Sequence, residues 1–222
     1  MTEAEEHFDQ IAKEYDFWKS KNHYYYDSLK ALFRSRIPVG ASVLEIGCGT
    51  GDLLAALKPS AGRGTDVSAA MISLAKAKHA DRVDLCFERE DIFETDQPWP
   101  EGHIFLADVL EHVPDARAFS AQLAMRVSAG TKVIVSLANP LWEPILMAAE
   151  KLGLKMPEGP HKRYSIGEMN RMFETAGFRI DEFGYRLLVP KRIWGGEALN
   201  RWFHRVPGLR RLGFVVFWVL GK

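Results

Sequence analysis

The sequence predicts an α/β protein with a doubly wound, mostly parallel sheet, and two observations carry that prediction. The first is the succession of a strand, a glycine turn, a helix and a second strand between Val43 and Asp66. The second is the repeated alternation of short apolar runs with stretches of helical spacing, as expected when helices cover both faces of a parallel sheet. With 222 residues, of which 47% are apolar, the chain is long enough to bury the core of one such domain.

The glycine turn indicates a ligand. Gly47, Gly49 and Gly51 follow an apolar run that suits a strand buried on both faces. Glycine permits a sharp turn in which no Cβ keeps a ligand away from the backbone. A helix begins at this turn, and its free N–H groups favour negative charge. Asp66, about 20 residues beyond the first glycine, suits hydrogen bonds from a ribose diol. The stretch therefore predicts a nucleotide-like ligand.

The spacing of the turn separates two kinds of nucleotide-like ligand. A dinucleotide fingerprint has its third glycine where this chain has Asp52, which argues against a nicotinamide dehydrogenase. Glu45 precedes the first glycine by two residues, where a carboxylate would repel a pyrophosphate but could pair with an amine. Glu45 and the three glycines resemble the acid-x-G-x-G-x-G motif of the class I S-adenosylmethionine-dependent methyltransferases. This resemblance implies S-adenosylmethionine as cofactor. It also implies a Rossmann-like sheet of seven strands in the order 3-2-1-4-5-7-6, with strand 7 antiparallel.

The same resemblance implies further cofactor-binding residues. In the family, the residue at Met71 packs beneath the adenine, and an acid at the position of Asp91 accepts a hydrogen bond from the adenine amino group. An ordinary turn residue is the alternative for Asp91. Tyr15 matches the tyrosine of an N-terminal lid that closes over the cofactor, with an ordinary helix packed on the sheet as the alternative. Neighbouring positions complete the predicted set: Cys48, Val67, Ile92 and Asp108.

The remaining elements are predicted from periodicity and from capping residues. Helices are predicted over 8–18, 24–36, 68–78, 115–128, 142–152 and 166–176. Strands are predicted over 43–46, 63–66, 83–88, 103–107, 132–137, 178–189 and 213–220. We expect a single methyltransferase domain over 1–222, with a helical lid over 1–38, an insertion over 139–165 and a cap over 190–212 between strands six and seven. Insertions at this end of a sheet commonly select the substrate.

Two histidines are candidate catalytic bases, because an oxygen acceptor has to lose a proton. His112 lies in a Leu-Glu-His-Val-Pro-Asp run that resembles the ubiquinone-type O-methyltransferases, and His161 follows the insertion. Imidazole titrates in the range that a base needs, although each residue is equally compatible with a structural role. Asp108, Glu111, His112 and His161 also resemble the metal set of ubiquinone O-methyltransferases and small-RNA 2′-O-methyltransferases, with Asp as the first acid. We predict no metal and keep this set as the alternative.

Composition limits the cellular setting. The net charge is zero, so no field of the whole chain attracts nucleic acid, and we expect no nucleic-acid partner. The two cysteines, Cys48 and Cys86, suit a reducing compartment without a disulfide. The N-terminus is acidic where a secretory signal would be basic, and no apolar run approaches the 18 residues of a membrane span. These features predict a cytoplasmic protein.

The C-terminal segment has a different character from the rest of the chain. From Arg186 to Lys222, eight Lys or Arg stand against one acid, Glu197, a net charge of +7. Trp194, Trp202 and Phe203 lie among these cations, which indicates peripheral contact with an anionic membrane; a solvated cap over the substrate pocket is the equal alternative. We therefore expect methylation of a small amphipathic or lipid-like acceptor, on oxygen. The alternatives are N- or C-methylation of a soluble metabolite, and a non-catalytic cofactor-binding or membrane-associated regulatory protein.

Overall fold

A central sheet of seven strands organises the computed structural model, which describes residues 2–94, 99, 102–157, 159, 161–191, 196–203, 206 and 208–222. The strand order is β3-β2-β1-β4-β5-β7-β6, and β7 runs antiparallel to both of its neighbours. The strands are β1 (Ser42–Ile46), β2 (Ala61–Asp66), β3 (Leu85–Arg89), β4 (His103–Ala107), β5 (Lys132–Ala138), β6 (Arg179–Arg186) and β7 (Val215–Gly221). The fold class, strand order and direction predicted from the sequence are confirmed.

Eight α-helices accompany the strands in the described part of the chain. They are α1 (Glu3–Lys21), α2 (His23–Arg34), α3 (Asp52–Leu57), α4 (Ala69–Lys78), α5 (Ala116–Arg126), α6 (Glu143–Lys151), α7 (Ile166–Thr175) and α8 (Gly196–Trp202). Most bounds agree with the predicted ones to within a few residues. Strand β6 ends at Arg186, earlier than predicted, because Leu187 has a φ of 58°, which an extended strand cannot continue. No helix in the described residues is long and apolar enough to cross a bilayer.

The sheet is covered on both faces, as continuous apolar strands require. Leu44 of β1 and Ile104 of β4 belong to a buried cluster with α5 and α7. Val43 and Phe105, the next residues on the same strands, belong to a second buried cluster with α2 and α3. Because both faces are filled, the open space for a ligand lies at the strand ends.

Helix α1 crosses the carboxyl ends of the strands and is held there by side chains. Asp9 accepts hydrogen bonds from Ser68 Oγ at 2.6 Å and from Ala70 N–H at 3.0 Å, at the start of α4. Asp16 accepts from Thr50 Oγ1 at 2.7 Å and from Lys78 Nζ at 2.8 Å. The segment predicted as a helical lid is therefore present as α1 and α2, and α1 is fixed to both sides of the glycine turn.

Candidate active site

A cavity lies at the carboxyl ends of the strands, beneath α1. Ligands of doubly wound sheets bind at this edge, where the strand order reverses between β1 and β4. Nine of the predicted cofactor-binding residues line it: Tyr15, Gly47, Gly49, Asp66, Val67, Met71, Asp91, Ile92 and Asp108. Apolar side chains from other elements complete the wall, among them Phe8, Trp99, Val113 and Phe119. The structure thus brings together residues that the sequence spreads over more than 90 positions.

The glycine turn forms one wall of this cavity. Gly47 and Gly49 have φ values of 74° and 51°, a region that other residues adopt only with strain. A Cβ on Gly47 would lie 2.4 Å from Val109 Cγ2, and one on Gly49 would lie 3.2 Å from the Tyr15 ring. Any side chain here would fill the space between backbone and cavity. The residues present therefore fit a ligand that approaches the backbone closely.

Asp66 ends β2 beside the turn and bonds to its backbone. Oδ2 accepts a hydrogen bond from Gly49 N–H at 2.8 Å, and Oδ1 accepts one from Ser68 N–H at 2.9 Å. Burial raises the pKa of the Asp66 carboxyl, and these two N–H groups oppose that shift. Each carboxylate oxygen has a second lone pair, so the group can still accept hydrogen bonds from a diol.

Three predicted cofactor-binding residues, Glu45, Cys48 and Gly51, are not part of the cavity lining given by the described residues. Glu45 is 1% exposed, its Oε2 accepts from Leu54 N–H at 3.1 Å, and burial raises its pKa well above the ordinary range. Cys48 is buried, and burial likewise raises the pKa of its thiol. A Cβ on Gly51 would lie 2.5 Å from the Phe87 ring, so this glycine serves packing. The structure places these residues as supports of the turn.

Tyr15 covers the glycine turn from α1. Burial of its phenol, followed by the nearby Tyr26, raises the pKa of Tyr15 well above its usual value, so the group is neutral at physiological pH. Lys19 Nζ lies 5.3 Å from the Tyr15 ring centroid and 2.8 Å from Asp52 Oδ2 at the start of α3. These contacts join α1, the turn and α3 in one assembly.

The two candidate bases are neighbours, but only one of them reaches the cavity in the described structure. His112 closes a short 3-10 turn, Leu110–His112, and lines the cavity, with its ring 5.1 Å from that of Phe8. The ring of His161 lies 6.3 Å from the ring of His112. His161 Nε2 is 3.6 Å from Glu143 Oε1 of α6, and its Nδ1 is 3.0 Å from Gly159 O.

The alternative metal set has another arrangement in the structure. No group of three or more His, Cys, Asp or Glu side chains among the described residues could hold a metal ion. Asp108 Oδ2 instead accepts a hydrogen bond from the hydroxyl of Tyr25 on α2. Sequence reasoning missed Tyr25, because the tyrosine run in α2 carries no motif and its partner is 83 positions away.

Part of the C-terminal prediction falls outside the description. Trp194, with Arg192 and Arg205, lies outside the described residues, as does the side chain of Arg201. Trp202 is 63% exposed, as a surface residue should be. Phe203 is 1% exposed, so its predicted place on the surface is wrong: its ring is buried in the fold.

Comparison with known proteins agrees with this geometry. The profile of a family described as "Methyltransferase domain" matches residues 17–182. This chain therefore belongs to the S-adenosylmethionine-dependent methyltransferase family. Among curated relatives, it is 30% identical to the ubiquinone biosynthesis O-methyltransferase of Xylella fastidiosa (strain 9a5c) over 159 residues. That match covers 66% of this chain and 65% of the relative, slightly less than two thirds of the relative's length.

Solved structures show the same fold at low sequence identity. One is titled as a SAM-dependent methyltransferase, possible histamine N-methyltransferase, from Thermotoga maritima, with a TM-score of 0.71, 17% identity and 99% coverage of both chains. Another is magnesium protoporphyrin IX methyltransferase from Synechocystis PCC 6803 with bound SAH. It has a TM-score of 0.60 and 19% identity, and covers 90% of this chain and 84% of the other.

Proposed function

We propose that this protein transfers the methyl group of S-adenosylmethionine to an oxygen atom of a small amphipathic or lipid-like acceptor. The observation that carries the proposal is the cavity in which the glycine turn, Asp66 and His112 meet. A relative named for O-methylation in ubiquinone biosynthesis supports oxygen as the methylated atom.

The cofactor is proposed to lie along the carboxyl ends of β1 to β4. The backbone of Gly47 and Gly49 allows close approach, Asp66 accepts from the ribose, and Asp91 accepts from the adenine. Tyr15 covers the ligand from α1, while Val67, Met71 and Ile92 supply apolar walls beside the base. Glu45, Cys48 and Gly51 contribute by fixing the turn and the start of α3. When bound, S-adenosylmethionine supplies a methyl group on a positively charged sulfur.

On the acceptor side, His112 is the proposed base, because its ring lines the cavity. It takes the proton of the acceptor hydroxyl as that oxygen attacks. His161 supports it from the side away from the cavity: its Nε2 is 3.1 Å from Arg163 Nη2 and its Nδ1 is 3.0 Å from Gly159 O. Alignment of the two reactants supplies the rest, and well-oriented reactants can gain about 7 to 11 kcal/mol from proximity alone.

A surface near the insertion supports an amphipathic acceptor taken from a membrane. Arg210 and Arg211 line a groove with Leu141, Phe183 and Tyr185, and no acidic residue is among its described lining residues. The buried Asn139 fixes this surface: its side-chain N–H group donates to Arg211 O at 3.0 Å and to Gly213 O at 2.7 Å. Cations beside exposed apolar groups suit an anionic lipid headgroup.

The test combines methyl transfer with vesicle binding. With S-adenosylmethionine carrying a labelled methyl group and extracted bacterial lipid, we expect label in a base-stable ether of the lipid fraction. The protein should also co-sediment with anionic phosphatidylglycerol vesicles at low salt, and less with neutral phosphatidylcholine vesicles or at high salt. Reversing Arg210 and Arg211 to Glu should weaken this binding more than tenfold, since each basic residue contributes about 1 kcal/mol near an anionic bilayer.

The matched control reverses Lys13 and Lys76, two exposed lysines on α1 and α4, to Glu. The change in net charge is the same as in the arginine variant. If Arg210 and Arg211 form the membrane-binding surface, this lysine variant should still bind the anionic vesicles. If the wild-type protein stays in the supernatant with anionic vesicles at low salt, the proposed membrane contact is wrong and a soluble acceptor is favoured. Label on nitrogen or carbon would favour the N- or C-methylation alternative. Cofactor binding without transfer to any extract would favour a regulatory protein.

A further inference from the structure

Tyr25 on α2 reaches a functional carboxylate from outside the cavity wall. Its hydroxyl donates a hydrogen bond to Asp108 Oδ2. Its ring packs edge-on against Phe214, with centroids 5.5 Å apart, and Phe214 packs in turn against Trp142 at 5.6 Å. Trp142 lies within the insertion, and its Nε1–H donates to Leu212 O at 2.8 Å. A continuous line of contacts therefore runs from the insertion and the cap to the Asp108 carboxylate.

Asp108 is held in an uncommon conformation. It follows β4 directly, lines the cavity and has a φ of 55°, one of only three positive values among the described non-glycine residues. Its N–H donates to Ser136 O of β5 at 3.0 Å, which fixes the backbone in the sheet. Left-handed conformations of non-glycine residues persist where the surroundings over-determine them, and they concentrate at functional sites. The Tyr25 hydroxyl is a contact that orients the side chain.

The strand order places Asp108 at one end of the cavity. The neighbouring strands run β3-β2-β1-β4, and their carboxyl ends bear, in that sequence, Asp91, Asp66, the glycine turn and Asp108. With adenine proposed at Asp91 and the ribose at Asp66, the opposite end receives the amino-acid part of the cofactor. That part carries a sulfonium and an ammonium group, and a carboxylate of fixed orientation favours both cations.

We propose that Tyr25 is a positioning residue for the cofactor, whose hydroxyl holds the Asp108 carboxylate toward the positively charged part of S-adenosylmethionine. This role rests on the proposed function, because it requires the cofactor to lie along the cavity as described. Tyr25 does not touch the cofactor in this assignment. It acts through Asp108 and joins the acceptor-side elements to the cofactor wall.

The test separates the hydroxyl from the ring. Tyr25→Phe removes the hydrogen bond and keeps the packing on Phe214, so its Tm without ligand should stay close to that of the wild type. Its dissociation constant for S-adenosylmethionine, measured by calorimetry, should rise about fivefold. This is less than the loss of a direct hydrogen bond to a charged group would give, because Tyr25 acts on the cofactor through Asp108. Asp108→Asn should raise it about tenfold or more, and the double variant should lie within about twofold of Asp108→Asn, since the two groups act as one.

Tyr24→Phe is the matched control. Tyr24 lies on the same helix, and its hydroxyl accepts a hydrogen bond from Asn200 Nδ2 at 3.2 Å. The same chemical change there should leave cofactor affinity within about twofold of wild type, as for distant, independent sites. With extracted lipid as acceptor, Tyr25→Phe should raise KM for S-adenosylmethionine and change kcat little, which a general loss of folded protein would not do.

Two results would overturn the role of Tyr25 and leave the proposed function standing. One is unchanged affinity in Tyr25→Phe. The other is losses in Tyr25→Phe and Asp108→Asn that add fully in the double variant. A wild-type protein that does not bind S-adenosylmethionine would overturn the proposed function itself, so the two failures are distinguishable.

Discussion

The proposed cofactor side and the proposed acceptor side of the cavity are built in different ways. On the cofactor side, backbone groups define the site: Gly47 and Gly49 shape the turn, and Asp66 accepts from two backbone N–H groups. On the acceptor side, side chains from distant parts of the chain meet, as when Phe8 of α1 packs against His112 in the cavity wall. A site made of backbone geometry needs a fixed local motif, whereas one made of long-range side-chain contacts can vary with the acceptor.

The rims of the two sides differ in charge as well. Over the cofactor side, α1 is fixed by ion pairs, with Lys19 2.8 Å from Asp52 and Lys78 2.8 Å from Asp16. Beside the proposed acceptor side, Leu141 and Ile145 are each 59% exposed, and Leu141 lines a groove together with Arg210 and Arg211. A charged rim suits a water-soluble cofactor that enters from solution. A rim of apolar side chains beside cations suits an amphipathic acceptor.

The largest expected effect lies on the acceptor side. His112→Ala should lower kcat about 10² to 10⁴-fold, because it removes the proposed base at the cavity wall. The dissociation constant for S-adenosylmethionine should change little, since the ring belongs to the acceptor side. Single-turnover transfer of a labelled methyl group to extracted lipid measures the first quantity, and calorimetry measures the second.

His161→Ala sharpens the same comparison. His161 lies behind His112, so its loss should lower kcat by a smaller factor than the loss of His112. If His161→Ala has the larger effect, the roles of the two histidines are reversed. Full turnover in both variants would mean that neither histidine is a base, and that alignment of the reactants suffices.

The sequence predicted the parts of the site that are built from local motifs better than the parts that depend on long-range side-chain contacts. The fold class, the glycine turn and Asp66 were accessible because a strand, a glycine turn and an acid after the next strand are local patterns. Other cavity-lining residues, Tyr15, Met71 and Asp91 among them, were predicted from the resemblance to the methyltransferase family. The Tyr25 to Asp108 contact and the position of His161 behind His112 were not accessible. Each depends on how elements far apart in sequence pack against one another. Phe203 shows the limit most plainly, because composition alone cannot tell an exposed ring from a buried one.

The next prediction concerns the cofactor side. Asp66→Ala should weaken S-adenosylmethionine binding more than tenfold, because a charge-assisted hydrogen bond typically contributes about 1.5 to 3 kcal/mol. Asp115→Ala is the matched control: Asp115 also accepts from two backbone N–H groups, those of Arg117 and Ala118, at the start of α5. It should lose about 1 kcal/mol of stability as a helix cap and keep its cofactor affinity. Unchanged affinity in Asp66→Ala would remove Asp66 from the site.

Cofactor affinity should also depend on pH through the protonation of Asp66. The ionised carboxylate is the form that accepts both diol hydrogens, and protonation occurs as pH falls through its pKa. Burial raises that pKa above the ordinary 3.8 of an aspartic acid. Cofactor affinity should therefore begin to fall, on acidification, at a higher pH than an ordinary aspartate would give. Calorimetric titrations across the acid range measure this limb, and Asp66→Ala should lack it.

The smallest expected effect on cofactor affinity concerns Glu45. The sequence predicts that Glu45 contacts the ligand, whereas in the structure its carboxyl group is buried and accepts a hydrogen bond from the backbone of α3. Glu45→Gln keeps an oxygen to accept from Leu54 N–H and removes a buried charge. Affinity for S-adenosylmethionine should stay within about threefold of wild type, as for a residue without a direct contact. Loss of tenfold or more would show that the carboxylate's charge reaches the cofactor.

Although Glu45 belongs to the glycine motif, we expect Glu45→Gln to leave the stability of the protein unchanged or to raise it. Burial raises the folded-state pKa of Glu45 above its unfolded value, so the native state favours the protonated form, and the ionised form costs stability as pH rises through that pKa. Glu45→Gln avoids this cost, so its Tm should match or exceed that of wild type at neutral pH. The difference should shrink as acid protonates Glu45 in the wild-type protein. A lower Tm for Glu45→Gln at neutral pH would mean instead that attraction between Glu45 and Lys19, which opposes the effect of burial, prevails over it.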